Sequence, residues 1–402
     1  MKLSTNAKHA VWLGALCSVS YFAVYIARNI LGVVTPQMVA LGYTEEYIGR
    51  LSSLYLSFYA VGQLINGMIG DRIHAKWMIC MGLFGAGATN LIFSRITLYP
   101  IAAMLVYGFT GFFLSMIYGP MAKVVSENTE PIHATRCSLG YTFASFFGSP
   151  AAGILAAFLS WQAVFGVSSI ALFGMAAFGF FFFTLLERRG IVRYGEYRAE
   201  KKGLQNVKVL FRHHIVKFSL ISILTGVVRT SVVFWLPTYV HQHLGFSPTV
   251  SASIFTGATL AISLTAFIAV FLYERLGYDL DKTVLLMFSS ALIFFALTYL
   301  LHHPVANIVC LVLAIMSSNG AATMLWSRYC PSLRDTGMVS SATGFLDFLS
   351  YMGAATANLV FASAATTIGW GNLILVWTGL MLLGVLIALP WQKKRHAPTD
   401  QI

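Results

Sequence analysis

Charge is what this chain has least of. Only 10% of its 402 residues are Asp, Glu, Lys or Arg, whereas 57% are hydrophobic and the mean hydropathy is +0.75. A soluble domain carries about 25% charged residues. Water could not solvate this surface, which excludes a soluble enzyme, a nucleic-acid-binding domain and a secreted module. Cysteine is scarce too. Cys17, Cys80, Cys137, Cys310 and Cys330 are odd in number, scattered and mostly inside apolar runs. No CxxC pair or His/Cys ligand spacing accompanies them, so we expect no disulfide framework, no metal site and no cofactor. A cleavable signal is not visible either. The first apolar run, from about Ala10, is too long for a signal core and lacks a small-residue cleavage site.

What the chain has in quantity is long apolar runs. A bilayer core about 30 Å thick needs about 20 apolar residues per helix. Such runs recur at 10–36, 47–69, 77–95, 98–122, 137–159, 161–185, 214–240, 248–273, 282–301, 304–327, 337–364 and 370–391. The expected fold is therefore an all-α membrane protein with twelve transmembrane helices. One connection stands out. Residues 186–213 are polar and basic, from Arg188 and Arg189 to Lys208 and Arg212. They divide the chain into a six-helix bundle (1–185), a cytoplasmic basic linker (186–213) and a second six-helix bundle with a short tail (214–402).

The basic residues orient this arrangement. With the N-terminus in the cytoplasm, 22 of the 26 Lys and Arg fall on cytoplasmic segments. Only Arg50 and Arg95 fall outside, and Arg28 and Arg229 lie within spans. That is the positive-inside pattern, with both termini cytoplasmic. It explains the net charge of +12 without a nucleic-acid partner, since attraction to anionic lipid head groups is sufficient.

The two halves repeat one pattern. The first reads Arg28, Pro36, Leu41-Gly42-Tyr43, a helix, then Gly70-Asp71-Arg72. The second reads Arg229, Pro237, Leu244-Gly245-Phe246, a helix, then Tyr273-Glu274-Arg275. The arginines are 201 residues apart, half the chain length. Coincidence between two Leu/Gly-rich stretches would not match charges in sign and spacing. Duplicated six-helix halves enclosing a midplane site are an architecture of secondary transporters.

Gly67-Met-Ile-Gly-Asp71-Arg72-Ile-His-Ala-Lys76 resembles the loop signature of the major facilitator superfamily between helices 2 and 3. A narrower resemblance runs from Tyr25-Ile-Ala-Arg28-Asn29 through Pro36 to Gly62-Gln63-Leu-Ile-Asn66-Gly67. Trp235-Leu-Pro237-Thr238-Tyr239 and Gly344-Phe-Leu-Asp347 with Tyr351 extend it. These segments resemble the organophosphate:phosphate antiporter family, which includes glycerol-3-phosphate, hexose-6-phosphate and glucose-6-phosphate transporters. The resemblance implies two pseudo-symmetric bundles, alternating access and a small anionic substrate, in a bacterial inner membrane and as a monomer. Asp71-Arg72 and Glu274-Arg275 would form cytoplasmic ion pairs that hold one state of the cycle.

Three charges lie at membrane depth: Arg28, Arg229 and Asp347. Each costs at least about 2.5–3.5 kcal/mol to insert, and arginine cannot shed its proton to escape that cost. Each should therefore face a wet cavity or a partner. Snorkelling to an interface fits poorly, because both arginines lie well inside their spans at equivalent positions. Two guanidinium forks facing each other make an anion site, since guanidinium binds phosphate or carboxylate bidentately.

Helical spacing puts Cys17, Tyr21, Tyr25, Arg28 and Gly32 on one stripe of helix 1. Ser52, Tyr55, Tyr59, Gln63 and Asn66 share a stripe of helix 2, and Thr343, Asp347, Tyr351, Ala354 and Asn358 one of helix 11. Ser222, Thr225 and Gly226 lie on the Arg229 side of helix 7, and Tyr118 precedes Gly119-Pro120 on helix 4. Tyr21, Tyr25, Tyr59, Gln63, Tyr118 and Tyr351 are thus candidate pocket residues, although helix packing accounts equally well for any single tyrosine. Asp347 has two readings: a counter-ion of the arginines that yields to substrate, or a proton-coupling carboxylate.

His241, His243, His302 and His303 are assigned to outward loops. The run Gly148-Ser-Pro-Ala-Ala-Gly153 suits close helix contact. The family's antiporters usually carry a lysine on helix 2 four residues after a tyrosine; here Gln63 follows Tyr59. A histidine found on helix 5 of well-studied members has no counterpart in Tyr141–Gly148. Phosphate ester, inorganic phosphate and carboxylate therefore all stay open as the anion. Proton symport of a carboxylate or sugar acid, and a sugar-phosphate sensor, are the competing readings.

Overall fold

The computed structural model describes residues 5–70, 73–194, 211, 213–333 and 339–389. Twelve helical spans make up nearly all of them. In the first half these are α1 (Thr5–Ala40), α2 (Glu45–Gly70), α3 (Ala75–Phe93), α4 (Pro100–Ser115, resumed at Tyr118–Asn128), α5 (Pro131–Phe158) and α6 (Trp161–Arg188). The second half begins with α7, which runs Ile215–Gly226, a π-helical turn Val227–Val232, then Val233–Gln242. It continues with α8 (Pro248–Ser263 and Thr265–Arg275), α9 (Leu280–Leu300), α10 (Pro304–Met324 and a π-turn Leu325–Tyr329), α11 (Val339–Thr367) and α12 (Gly369–Ala388).

Local sequence explains the ends. Leu41-Gly42-Tyr43 and Leu244-Gly245-Phe246 stop α1 and α7, and both glycines have positive φ, +96° and +76°. Gly42 donates to Val39 O and Tyr43 to Met38 O, a glycine-centred helix stop. Ser247 then caps α8, accepting from the Val250 N–H at 3.3 Å with Pro248 behind it. Asp279 caps α9 by accepting from Lys282 N–H at 3.1 Å. Pro36 does not end α1 as expected, for the helix runs on to Ala40. α6 likewise continues three residues into the expected linker, to Arg188. Residues 195–210 and 212 of that linker, and the Asp71-Arg72 pair, lie outside the described residues.

Ten spans are apolar and long enough to cross a bilayer unaided, counted over the described residues. α2 is not among them. It is more polar because it carries Ser52, Gln63 and Asn66 and opens on Glu45 and Glu46. The outer faces carry Phe181, Ile170 and Phe158, each more than two-thirds exposed, as a lipid-facing surface requires.

Contacts that join the halves gather on the side away from the termini. α2 packs along α11, α5 along α8, and α1 against the outer part of α7. Asn358 donates to Ser52 Oγ at 2.6 Å, both buried. Gln242 bridges three helices: its amide donates to Glu45, and its carbonyl accepts from Trp370 Nε1 at 2.6 Å. On the termini side, bonds within each half dominate. Lys76 is buried against Glu187 at 2.6 Å, and Lys217 pairs with Asp281 at 3.0 Å. Glu187 also accepts from Tyr194, whose ring stacks on His74 at 4.3 Å. Burial and that carboxylate raise the Tyr194 phenol above its usual pKa.

Candidate functional site

A central cavity of about 740 Å³ lies between the halves. Among the described residues its walls carry three charged ones, Arg28, Arg229 and Asp347. They come from α1, α7 and α11, so the three charges that the sequence leaves at membrane depth share one space. Eight tyrosines line it: Tyr21, Tyr25, Tyr55, Tyr59, Tyr107, Tyr118, Tyr141 and Tyr351. Every sequence-predicted pocket residue, Gln63 included, is on the wall.

Arg28 is held firmly. Its Nη2 donates to the Tyr351 hydroxyl at 2.5 Å across the two halves. Its guanidinium carbon lies 5.5 Å from the ring centre of Tyr25, 5.1 Å from Tyr59 and 4.9 Å from Tyr351. Cation–π contact of this kind contributes about 2 kcal/mol or more when desolvated. Tyr59 and Tyr351 meet edge to face at 4.8 Å, so the cage is itself packed.

Arg229 is held less. Its guanidinium carbon lies 5.9 Å from the Tyr351 ring, and its Nη2 is buried with no hydrogen-bond partner among the described residues. A donor left so costs about 1–3 kcal/mol, more when charged. Arg229 sits in the π-turn Val227–Val232, a feature concentrated at functional sites. Just before it, Gly226 lets α11 approach: a Cβ there would lie 2.3 Å from Ser350 Oγ.

Asp347 lines the same cavity yet forms no ion pair with either arginine within 4.0 Å. The expected counter-ion contact is therefore not made in this conformation. With Asp347 ionised, the wall's formal charge is +1.

Other candidates sit elsewhere. Glu274 and Arg275 are exposed at the end of α8, Arg275 lying over the Phe271 ring at 5.2 Å. Neither is in an ion pair among the described residues. His241 is not in a loop but in the last turn of α7, its Nδ1 2.6 Å from Phe246 O. His302 and His303 are exposed between α9 and α10.

Several liners escaped the sequence reading: Thr259 and Ser263 on α8, and Asn319, Thr323, Trp326 and Ser327 on α10. A signal existed, since 319, 323 and 326–327 recur at helical spacing as polar or amphipathic groups in an apolar run.

Two six-helix halves around a central cavity define an integral, multi-pass membrane transporter. The chain belongs to the Major Facilitator Superfamily, which it matches over residues 17–357. It is 23% identical to the glycerol-3-phosphate transporter of Bacillus subtilis, over 94% of this chain and 91% of that one. It is 22% identical to the membrane sensor protein UhpC of Escherichia coli, over 95% and 90%. A probable hexose phosphate transport protein of Chlamydia trachomatis matches at 22% over 27% of this chain and 24% of its own. These relatives bear out the organophosphate resemblance. Among solved structures, the nucleoside transporter NupG superposes with a TM-score of 0.73 at 15% identity, covering 94% of this chain and 98% of that one. That likeness speaks for the fold.

Proposed function

We propose that the chain carries a small phosphate ester of the glycerol-phosphate or sugar-phosphate type across a bacterial inner membrane by alternating access, in exchange for inorganic phosphate. The observation that carries this reading is the pair of guanidiniums, one from each half, flanking the single Tyr351 ring in a cavity of net positive charge. An anion bound by both forks would draw the halves together, which is what a carrier needs from its substrate. The full-length similarity to a glycerol-3-phosphate transporter supports the phosphate over the carboxylate. Arg28 and Arg229 then clamp the anion, and Tyr21, Tyr25, Tyr59, Gln63, Tyr118 and Tyr351 line the pocket. Asp347 limits the positive charge. The chain acts as a monomer and catalyses no covalent step.

The positive-inside pattern supports cytoplasmic termini, and with the termini there this conformation is sealed on the outer side. Glu274-Arg275 and Asp71-Arg72 serve the opposite, inward-closed state.

A sensor is the second reading, favoured by the equally long similarity to UhpC. Uptake of labelled glycerol-3-phosphate by purified protein in proteoliposomes decides between them. Saturable uptake, inhibited by hexose phosphates and not by glycerol, is expected. Binding without uptake would make the chain a sensor, and uptake driven only by a proton gradient would favour the symport reading.

A further inference from the structure

The cavity wall is divided by hydrogen-bonding character. Around the arginines, Asp347 apart, it offers donors. Guanidinium groups can only donate, and Tyr351, which accepts from Arg28, keeps its own proton. On α8 and α10, which pack side by side, the wall offers the reverse. Thr259 Oγ1 donates to Phe255 O at 2.9 Å, and Ser263 Oγ to Thr259 O at 2.8 Å. Thr323 Oγ1 donates to Asn319 O at 3.0 Å, and Ser327 Oγ to Thr323 O at 2.6 Å. A hydroxyl has one proton. Once that proton is given to the helix backbone, only acceptor lone pairs remain for the cavity.

Back-bonding of this kind is an ordinary way to satisfy a hydroxyl in an apolar helix. Four such groups on two neighbouring helices facing one cavity are another matter. All four line it, beside Asn319 and Trp326, whose side chains carry N–H donors. The four hydroxyl oxygens suit hydroxyl groups of a ligand, which bring donors. The wall also runs outward along the substrate's path, because Ser327 is exposed near the termini-side end of α10.

We infer that Thr259, Ser263, Thr323 and Ser327 are specificity-determining residues that accept hydrogen bonds from the hydroxyls of the substrate's organic part while the arginines hold its anion. This rests on the organophosphate reading and adds an orientation to it, with phosphate toward Arg28 and Arg229 and hydroxyls against α8 and α10.

The test is a binding titration of detergent-solubilised full-length protein with glycerol-3-phosphate, propyl phosphate and inorganic phosphate. The wild-type protein should bind glycerol-3-phosphate at least about tenfold more tightly than propyl phosphate, which lacks both hydroxyls. Thr323→Val and Ser263→Ala should each cut that ratio by about threefold or more, since each removes one acceptor at nearly constant volume. Thermal unfolding without ligand verifies that both variants fold. A purely structural role would lower the affinities for both esters together and leave the ratio standing, which would overturn the inference. So would a wild-type ratio near one with inorganic phosphate and both esters bound, and in that case the anion site itself survives. If no phosphate compound binds, the organophosphate reading fails and the hydroxyl face fails with it.

Discussion

Arg28 and Arg229 occupy equivalent places in two repeated halves, yet they are held differently. Arg28 lies in an unbroken helix, caged by three rings and bonded to Tyr351. Arg229 lies in a π-turn, beside one ring, with a buried Nη2 that nothing among the described residues accepts from. Each has a proline eight residues on, so proline alone does not cause the π-turn. The residue three positions earlier does differ: Tyr25 in α1, Gly226 in α7. Tyr25 contributes to the cage of its own arginine, whereas Gly226 yields its space to α11. The repeat thus preserves the charges and diverges in what holds them. One fork is preorganised, and the other has a free hand for the ligand.

The largest effect should come from breaking the forks. Arg229→Lys keeps the charge and loses the bidentate geometry, so phosphate-ester affinity should fall by about a hundredfold or more, read by titration. Arg28→Lys should fall comparably, because lysine cannot fill the cage. Near-normal affinity in either would dissolve the clamp. Next comes the packing that separates the two sites. Gly226→Ala puts a methyl 2.3 Å from Ser350 Oγ and 2.5 Å from Ser350 O. Overpacking of this kind costs about 1–3 kcal/mol, and a lower unfolding temperature with slowed transport is expected.

Asp347→Asn sharpens the comparison by removing the negative charge the two arginines share. Anion affinity should rise about three- to tenfold, and exchange should persist. If the variant instead keeps exchange but loses accumulation driven by a pH gradient, Asp347 is a proton carrier. The smallest effect is expected for Tyr351→Phe, which leaves the ring over both arginines and deletes only the bond to Arg28. Affinity should weaken by about threefold through loosened preorganisation, with little change in unfolding temperature.

Much of this site was legible in the sequence. Arg28, Arg229 and Asp347 are expensive in a bilayer, and expense is visible without coordinates. The tyrosine stripes followed from helical spacing. Thr259 and Ser263 were not legible, because a hydroxyl bonded to its own helix looks the same in sequence whether it faces lipid, a neighbour or a cavity. The bond between Arg28 and Tyr351 joins residues 323 positions apart, a pairing that only the meeting of the halves creates. The same holds for the seal on the side away from the termini, at Ser52, Asn358, Glu45 and Gln242. The span boundaries shifted by several residues where hydropathy faded before the helix did, as at Pro36 and Arg188.

The central claim is that an anion bridging two arginines is what lets the halves rearrange. With Asp347 ionised the ligand-free wall carries a formal +1, and enclosing an uncompensated charge costs several kcal/mol. A loaded carrier should therefore reorient faster than an empty one. The direct measurement is uptake of labelled glycerol-3-phosphate into proteoliposomes with and without internal phosphate. Internal phosphate should accelerate uptake about tenfold or more, and equal rates under the two conditions would contradict the account.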